Sequence, residues 1–149
     1  MKNEIKREIK ILFPNENIFE GKNFEVHQDR EFPILGFFIL VPKRRIKTIV
    51  DFTKEESIEF IDTLVKIRKA MKVILKIKEV FFYQNEDTRH NFHVWIFPKY
   101  LWMKDFKMQA TPAIPFLKHS LKYLSSKKDI NKVKTTAKKM HDYLSKQFL

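Results

Sequence analysis

The sequence predicts an α+β fold, an antiparallel sheet of about five strands carrying one long helix, with further helices at the C-terminus. Three observations predict it. First, an amphipathic segment over about 54–75 starts at Thr53-Lys54-Glu55-Glu56, which has the pattern of a capping box. Second, runs rich in β-branched and aromatic residues stand on both sides of that segment. Third, the two runs after it are joined by only a few polar residues. That is too short for a crossover, so the pair is antiparallel.

Taken in order, residues 1–14 read as a polar-to-apolar lead-in of one or two helical turns. Ile18 to Val26 reads as a hairpin, with Gly21 and Asn23 supplying the turn. Phe37 to Val41 is an unbroken apolar strand, expected to be buried on both faces, opened by Gly36 and closed by Pro42. In the helix, Ile58, Ile61, Leu64, Val65, Met71 and Leu75 recur at helical spacing and form the expected core stripe, interrupted by Arg68. Ile77 to Gln84 is the next strand, and Asn91 to Pro98 the last. Lys99 to Pro115 holds Trp102, Met103 and Phe106 with no period, and reads as a loop or lid. Residues 116–124 predict a short helix. Ile130, Val133, Ala137, Met140, Leu144 and Phe148 predict an amphipathic terminal one. The whole reads as a single domain, 1–149, with a core over about 15–100 and a helical extension over about 101–149.

Composition narrows the function classes. With 44% apolar residues and fifteen Phe in 149 residues, the chain can bury a sizeable core and is not a disordered one. Its net charge of +12 favours anionic partners, although abundant Lys also follows from genome bias. Nine Lys against two Asp place +7 of that charge in residues 117–149. The absence of cysteine excludes disulfides, thiolate chemistry and cysteine-based zinc sites. The first ten residues are too charged for the apolar core of a signal peptide. The longest apolar run, 32–41, is too short to span a bilayer. The expectation is a soluble cytoplasmic protein without membrane contact.

The chemistry concentrates in Asn91-Phe92-His93-Val94-Trp95-Ile96-Phe97-Pro98. Alternation along a strand points Asn91, His93 and Trp95 to one face and Phe92, Val94 and Ile96 to the other. The second set anchors in a core and the first presents a histidine, the side chain most easily poised near neutral pH. The residues alone leave a plainer alternative open, since a lone strand histidine is commonly structural. Asp29 by itself is a turn carboxylate, and Trp95 is either packing or a stacking surface. His119 and His141 have no metal-ligand spacing, and a site built from His27, His90 and His93 lacks support. No metal or cofactor is expected.

Two segments together resemble the histidine triad (HIT) family of nucleotidyl hydrolases and transferases. Leu35-Gly36-Phe37-Phe38-Ile39-Leu40-Val41-Pro42-Lys43 is similar to the family's Pro-Gly-His-x-Leu-Val-x-Pro-Lys strand, and Asn91-x-His93-x-Trp95-x-x-Pro98 to its His-x-His-x-His-x-x-Pro. The order of elements over about 15–100 agrees. The resemblance implies that His93 attacks the α-phosphorus of a nucleotide and forms a nucleotidyl-histidine intermediate. It implies that Asn91 orients His93 or the phosphate. It also implies that Asp29, eight residues before Phe37, holds the ribose hydroxyls, that Asn85 precedes the phosphate loop, and that Thr88 and Arg89 contact phosphate.

The chain departs from the family pattern at Asn91, Trp95 and Phe37, where the family has histidine, and in a short connection without glycine. Arg45, Arg89 and Lys99 are candidates for the missing positive charge. His90, by alternation, faces away from His93. The resemblance thus implies a nucleotide or dinucleoside polyphosphate partner and a homodimer meeting at the helix and a sheet edge. The alternatives are a nucleotide-binding module without catalysis and a nucleic-acid binder using the basic terminal helix.

Overall fold

In a computed structural model the described residues are 16–87, 89–105 and 113–147. The predicted lead-in over 1–14, Phe106, Thr88 and Phe148 lie outside them. Five strands form one antiparallel sheet in the order β1-β2-β3-β5-β4: β1 Asn17–Glu20, β2 Phe24–Gln28, β3 Phe38–Pro42, β4 Val80–Gln84 and β5 Val94–Pro98. Among the described residues three helices accompany it: α1 Lys54–Ile74, α2 Ala113–Tyr123 and α3 Lys127–Gln147. The expected α+β architecture is present. No helix among the described residues is long and apolar enough to cross a membrane.

The hairpin turns at Gly21, whose N–H donates to Phe24 O at 2.8 Å. The turn docks on α1 through Glu59, which accepts from the Asn23 backbone N–H at 2.9 Å and from Asn23 Nδ2 at 2.7 Å. Gly36 enters β3 with φ +78°, a conformation that a β-carbon disfavours.

The start of α1 is half a capping box. Thr53 Oγ1 accepts from Glu56 N at 3.1 Å, but the Glu56 carboxylate turns to the Arg44 guanidinium at 3.0–3.2 Å. A buried carboxylate gains more from that forked cation than from one backbone N–H.

The buried face of α1 matches the predicted stripe at Leu64, Met71 and Leu75 and differs from it elsewhere. Phe60, Thr63, Ile67, Ala70 and Met71 face inward, whereas Ile58, Ile61 and Val65 are 63%, 58% and 44% exposed. The helix is apolar on two sides, so spacing alone did not select between them. The side that meets the rings of Phe24, Phe52 and Phe92 is the one buried, with centroids 4.9–5.8 Å apart.

The sheet has two unlike faces. One, with Phe24, Val26, Phe38, Leu40, Val94 and Ile96, packs on α1 and α3. α3 contributes Ala137, Met140 and Leu144, so its apolar stripe is core, as its spacing predicts. The other face has Ile34, Phe37, Ile39 and Phe97, packed against Met103, Phe116 and Leu117. The segment predicted as a loop therefore contains a 3-10 turn over Leu101–Asp105, and α2 begins before Pro115. Proline fits there because first-turn N–H groups lack helical acceptors anyway. Trp102 stacks on His119 at 4.5 Å.

Candidate functional site

The second cover closes only one end of its sheet face. At the other end lies an open groove of about 550 Å³, within the roughly 300–1,000 Å³ of small-ligand clefts. Strand register explains its lining. His27 pairs with Ile39, Ile39 with Trp95, and Trp95 with Tyr83, giving one cross-strand row. Glu25 opposes Val41 in the row beside it. Asp29, Arg30, Glu31 and Phe32, just after β2, form one wall, and His90, Asn91 and His93, just before β5, form the opposite one.

Strand β5 begins at Val94, so Asn91, Phe92 and His93 precede the sheet instead of pairing within it. The expected alternation nevertheless extends through them, because Phe92 is fixed independently. Its ring is 1% exposed in the aromatic cluster with Phe52 and Phe60, and its N–H donates to Ile46 O at 2.7 Å. With Phe92 held inward, His93 must point outward into the groove. It is half-buried, and its centroid lies 6.4 Å from that of Trp95, so the tryptophan does not cover it.

His93 Nδ1 lies 2.9 Å from Asn91 O. A carbonyl only accepts, so Nδ1 carries the proton and Nε2 keeps its lone pair. Asn91 thus orients His93 through its main chain, which any residue at that position supplies.

The opposite wall carries two shifted groups. Burial raises the Asp29 carboxyl to about 6, against the lowering effect of N–H bonds from Phe32 and Glu31 to Oδ2. Burial, and then the Arg30 charge, lower His27 to about 4, so its imidazole is neutral. His27 Nδ1 and Arg30 Nε are both buried without a hydrogen-bond partner.

Of the residues singled out in the sequence, Asp29, Asn91, His93 and Trp95 come together in the groove. Asn85 and Arg89 are exposed outside its lining, and Thr88 lies outside the described residues. His90 lines the groove, contrary to strict alternation, because residues 89–93 are not a strand. Its Nδ1 sits 3.0 and 3.1 Å from the two Asp87 oxygens. That bond is the main reason the Asp87 carboxyl falls to about 2. Parity would have placed His27 in the groove, two residues before Asp29, but nothing local marked Arg30. Of the candidate cations, Arg45 and Arg89 are exposed outside the groove lining and Lys99 is engaged elsewhere, as are the neighbouring Lys43 and Arg44. Lys43 pairs with Glu20 at 2.9 Å, and Arg44 with Glu56 at 3.0 Å. Lys99 lies over the Phe81 ring and 3.6 Å from Glu79.

Trp95 and Phe37, which stand where the HIT pattern has histidines, pack edge to face at 5.2 Å. The side chains at these two departures are thus in contact with each other. No group of three or more metal-ligating side chains occurs among the described residues.

No family model and no curated protein matches the sequence. Solved structures do. A HIT-like protein from Bartonella henselae, described as involved in cell-cycle regulation, aligns with TM-score 0.57 at 15% identity over 85% of this chain and 84% of that one. A hypothetical histidine triad nucleotide-binding protein from Sulfolobus tokodaii aligns at 0.59 and 15%, over 89% and 87%. Plasmodium falciparum diadenosine triphosphate hydrolase aligns at 0.60 and 15%, over 90% and 79%. The chain has the histidine triad fold.

Proposed function

We propose that the groove binds a nucleotide and that His93 acts at its α-phosphate, as hydrolase or nucleotidyl transferase, with dinucleoside polyphosphates as candidate substrates. The observation that carries this reading is the His93 ring, lining an open groove with Nδ1–H committed to Asn91 O and Nε2 free to act as nucleophile. Two structures that share the fold are described as nucleotide-binding and as a diadenosine triphosphate hydrolase.

In this mechanism the Nε2 lone pair forms a bond to the α-phosphorus. The bond from phosphorus to the leaving oxygen breaks, and its electron pair departs with that oxygen. Water then attacks the same phosphorus, the P–N bond breaks with its pair returning to Nε2, and the water proton passes to solvent. Asp29 holds the ribose hydroxyls through Oδ1, since both of its described bonds go to Oδ2. Thr88 and Arg89 serve the phosphates. Trp95 supplies surface but little charge stabilisation for the leaving group, because its one donor is a neutral N–H. Slow turnover is the expected consequence.

The test is incubation with diadenosine polyphosphates, assayed for nucleoside monophosphate release and, after acid-free quenching, for nucleotide bound covalently to His93. Release that disappears in His93→Ala supports the reading. Tight nucleotide binding with no release selects the alternative of a non-catalytic binding module, which the apolar Phe37–Trp95 pair favours.

We also infer a homodimer through α1 and the β4 edge. Ile58, Ile61 and Val65 form an exposed apolar strip on α1, and Phe82 on the edge strand β4 is 51% exposed. Sedimentation should show a dimer that Ile61→Asp dissociates. A monomeric wild-type chain rejects the pairing.

A further inference from the structure

The groove wall after β2 has a chemistry that the reading above does not use. With the α-phosphate at His93, the ribose at Asp29, and Ile39 and Val41 on the groove floor, the lining beside Asp29 that could meet the edge of the base is His27, Arg30, Glu31 and Phe32. Phe32 offers an apolar surface to the ring face. The other three are polar, and two of them hold a buried nitrogen without a partner, His27 Nδ1 and Arg30 Nε. Unpartnered buried nitrogens are unusual in folded proteins, and a ligand edge with matching groups would satisfy them once either side chain turns toward the groove.

We propose that this wall selects guanine over adenine, with Arg30 as the reading residue and His27 and Glu31 beside it; the inference rests on the nucleotide reading of the groove. Guanine presents O6 and N7 as adjacent acceptors, which the arginine fork fits with two parallel N–H donors. Adenine presents N7 beside the N6 amino donor, so one arm of the fork would face another donor. Guanine also carries N1–H and N2–H₂, which a carboxylate such as Glu31 accepts and which adenine lacks. His27 is neutral, with one N–H and one lone pair, so it adds hydrogen bonding without a second cation to repel Arg30.

Calorimetric titration of the full chain with GMP and with AMP, at one salt concentration, tests this. The two ligands carry the same charge, so general attraction to a basic protein cancels in the ratio. GMP is expected to bind about tenfold more tightly, the lower range for one bidentate arginine–guanine contact. Arg30→Met should bring the ratio close to one. Arg30→Lys, which keeps the charge and loses the fork, should also lower it. Equal wild-type affinities, or a preference that survives either substitution, overturn the selectivity and leave the nucleotide site standing. Binding of neither nucleotide at millimolar concentration overturns both.

Discussion

The two faces of the sheet share strands yet solve different problems. On the α1 and α3 face, Phe24, Phe38, Leu40 and Ile96 are all fully buried, and the rings of Phe24, Phe52, Phe60 and Phe92 pack on one another. On the opposite face the cover stops short, and Glu25, His27, Asp29 and His93 remain in a groove with orphaned polar atoms. The closed face gives stability, and the open face keeps unsatisfied groups at an energetic cost. Residues 92–96 show the division in one segment. Phe92, Val94 and Ile96 serve the first face, while His93 and Trp95 serve the second. The rigidity of the groove side is thus borrowed from the packing of the closed one.

If that division of labour holds, substitutions on the two faces separate cleanly. The largest expected effect is His93→Ala, which should lower nucleotide turnover by about 10³-fold or more, as for loss of a nucleophile. Its stability should change by no more than about 1 kcal/mol, because the ring is half-buried and makes one local bond. Equal turnover in the variant breaks the comparison outright.

Phe92→Ala should do the reverse. Denaturant unfolding should show a loss of about 3–5 kcal/mol from the cavity left among Phe52 and Phe60. A loss below about 1 kcal/mol would show that His93 is not anchored from the closed face.

The aromatic pair sharpens the contrast at a smaller scale. A double-mutant cycle on Phe37→Leu and Trp95→Leu should give a coupling of about 0.5–1.5 kcal/mol. A coupling of zero would mean that the two departures from the family pattern are independent.

The smallest effect is in pH dependence, because two groove groups oppose each other. Asp29, raised to about 6, is protonated in the folded state where the unfolded chain is already ionised. It therefore removes stability as pH rises from about 4 to 6. His27, lowered to about 4, is neutral in the folded state where the unfolded chain takes up a proton. It therefore adds stability as pH rises from about 4 to 6.5. In the intact protein the two slopes offset. In this window, His27→Phe should leave stability falling with pH, and Asp29→Asn should leave it rising. Unfolding midpoints across pH 4–7 distinguish these signs, and parallel profiles for both variants would discard the account.

Much of this was legible in the residues. The Thr53 cap, the antiparallel pair after α1 and the apolar strand before it rest on local spacing, and the structure contains each of them, the strands at Val80–Gln84, Val94–Pro98 and Phe38–Pro42 with burial complete over 38–40. The core stripe of α1 was misread at Ile58, Ile61 and Val65, which match the helical period as well as Phe60 and Ile67 do, while Leu64, Met71 and Leu75 pack on the core as predicted. His90 was misdirected because alternation was extended into a segment that makes no ladder. The role of Arg44 was hidden because its partner, Glu56, lies twelve residues away.

The sequence by itself determined which segments become strands and helices and which residues of 92–96 face apart, because those depend on periods of two and 3.6 and on caps a few residues long. Only the tertiary structure decided which side of α1 is buried, that Trp95 leans on Phe37 and leaves His93 uncovered, and that His27 and Arg30 share a wall with Asp29. Those outcomes depend on which surfaces compete for the same partner across the sheet, and that competition has no signature in the spacing of neighbours along the chain.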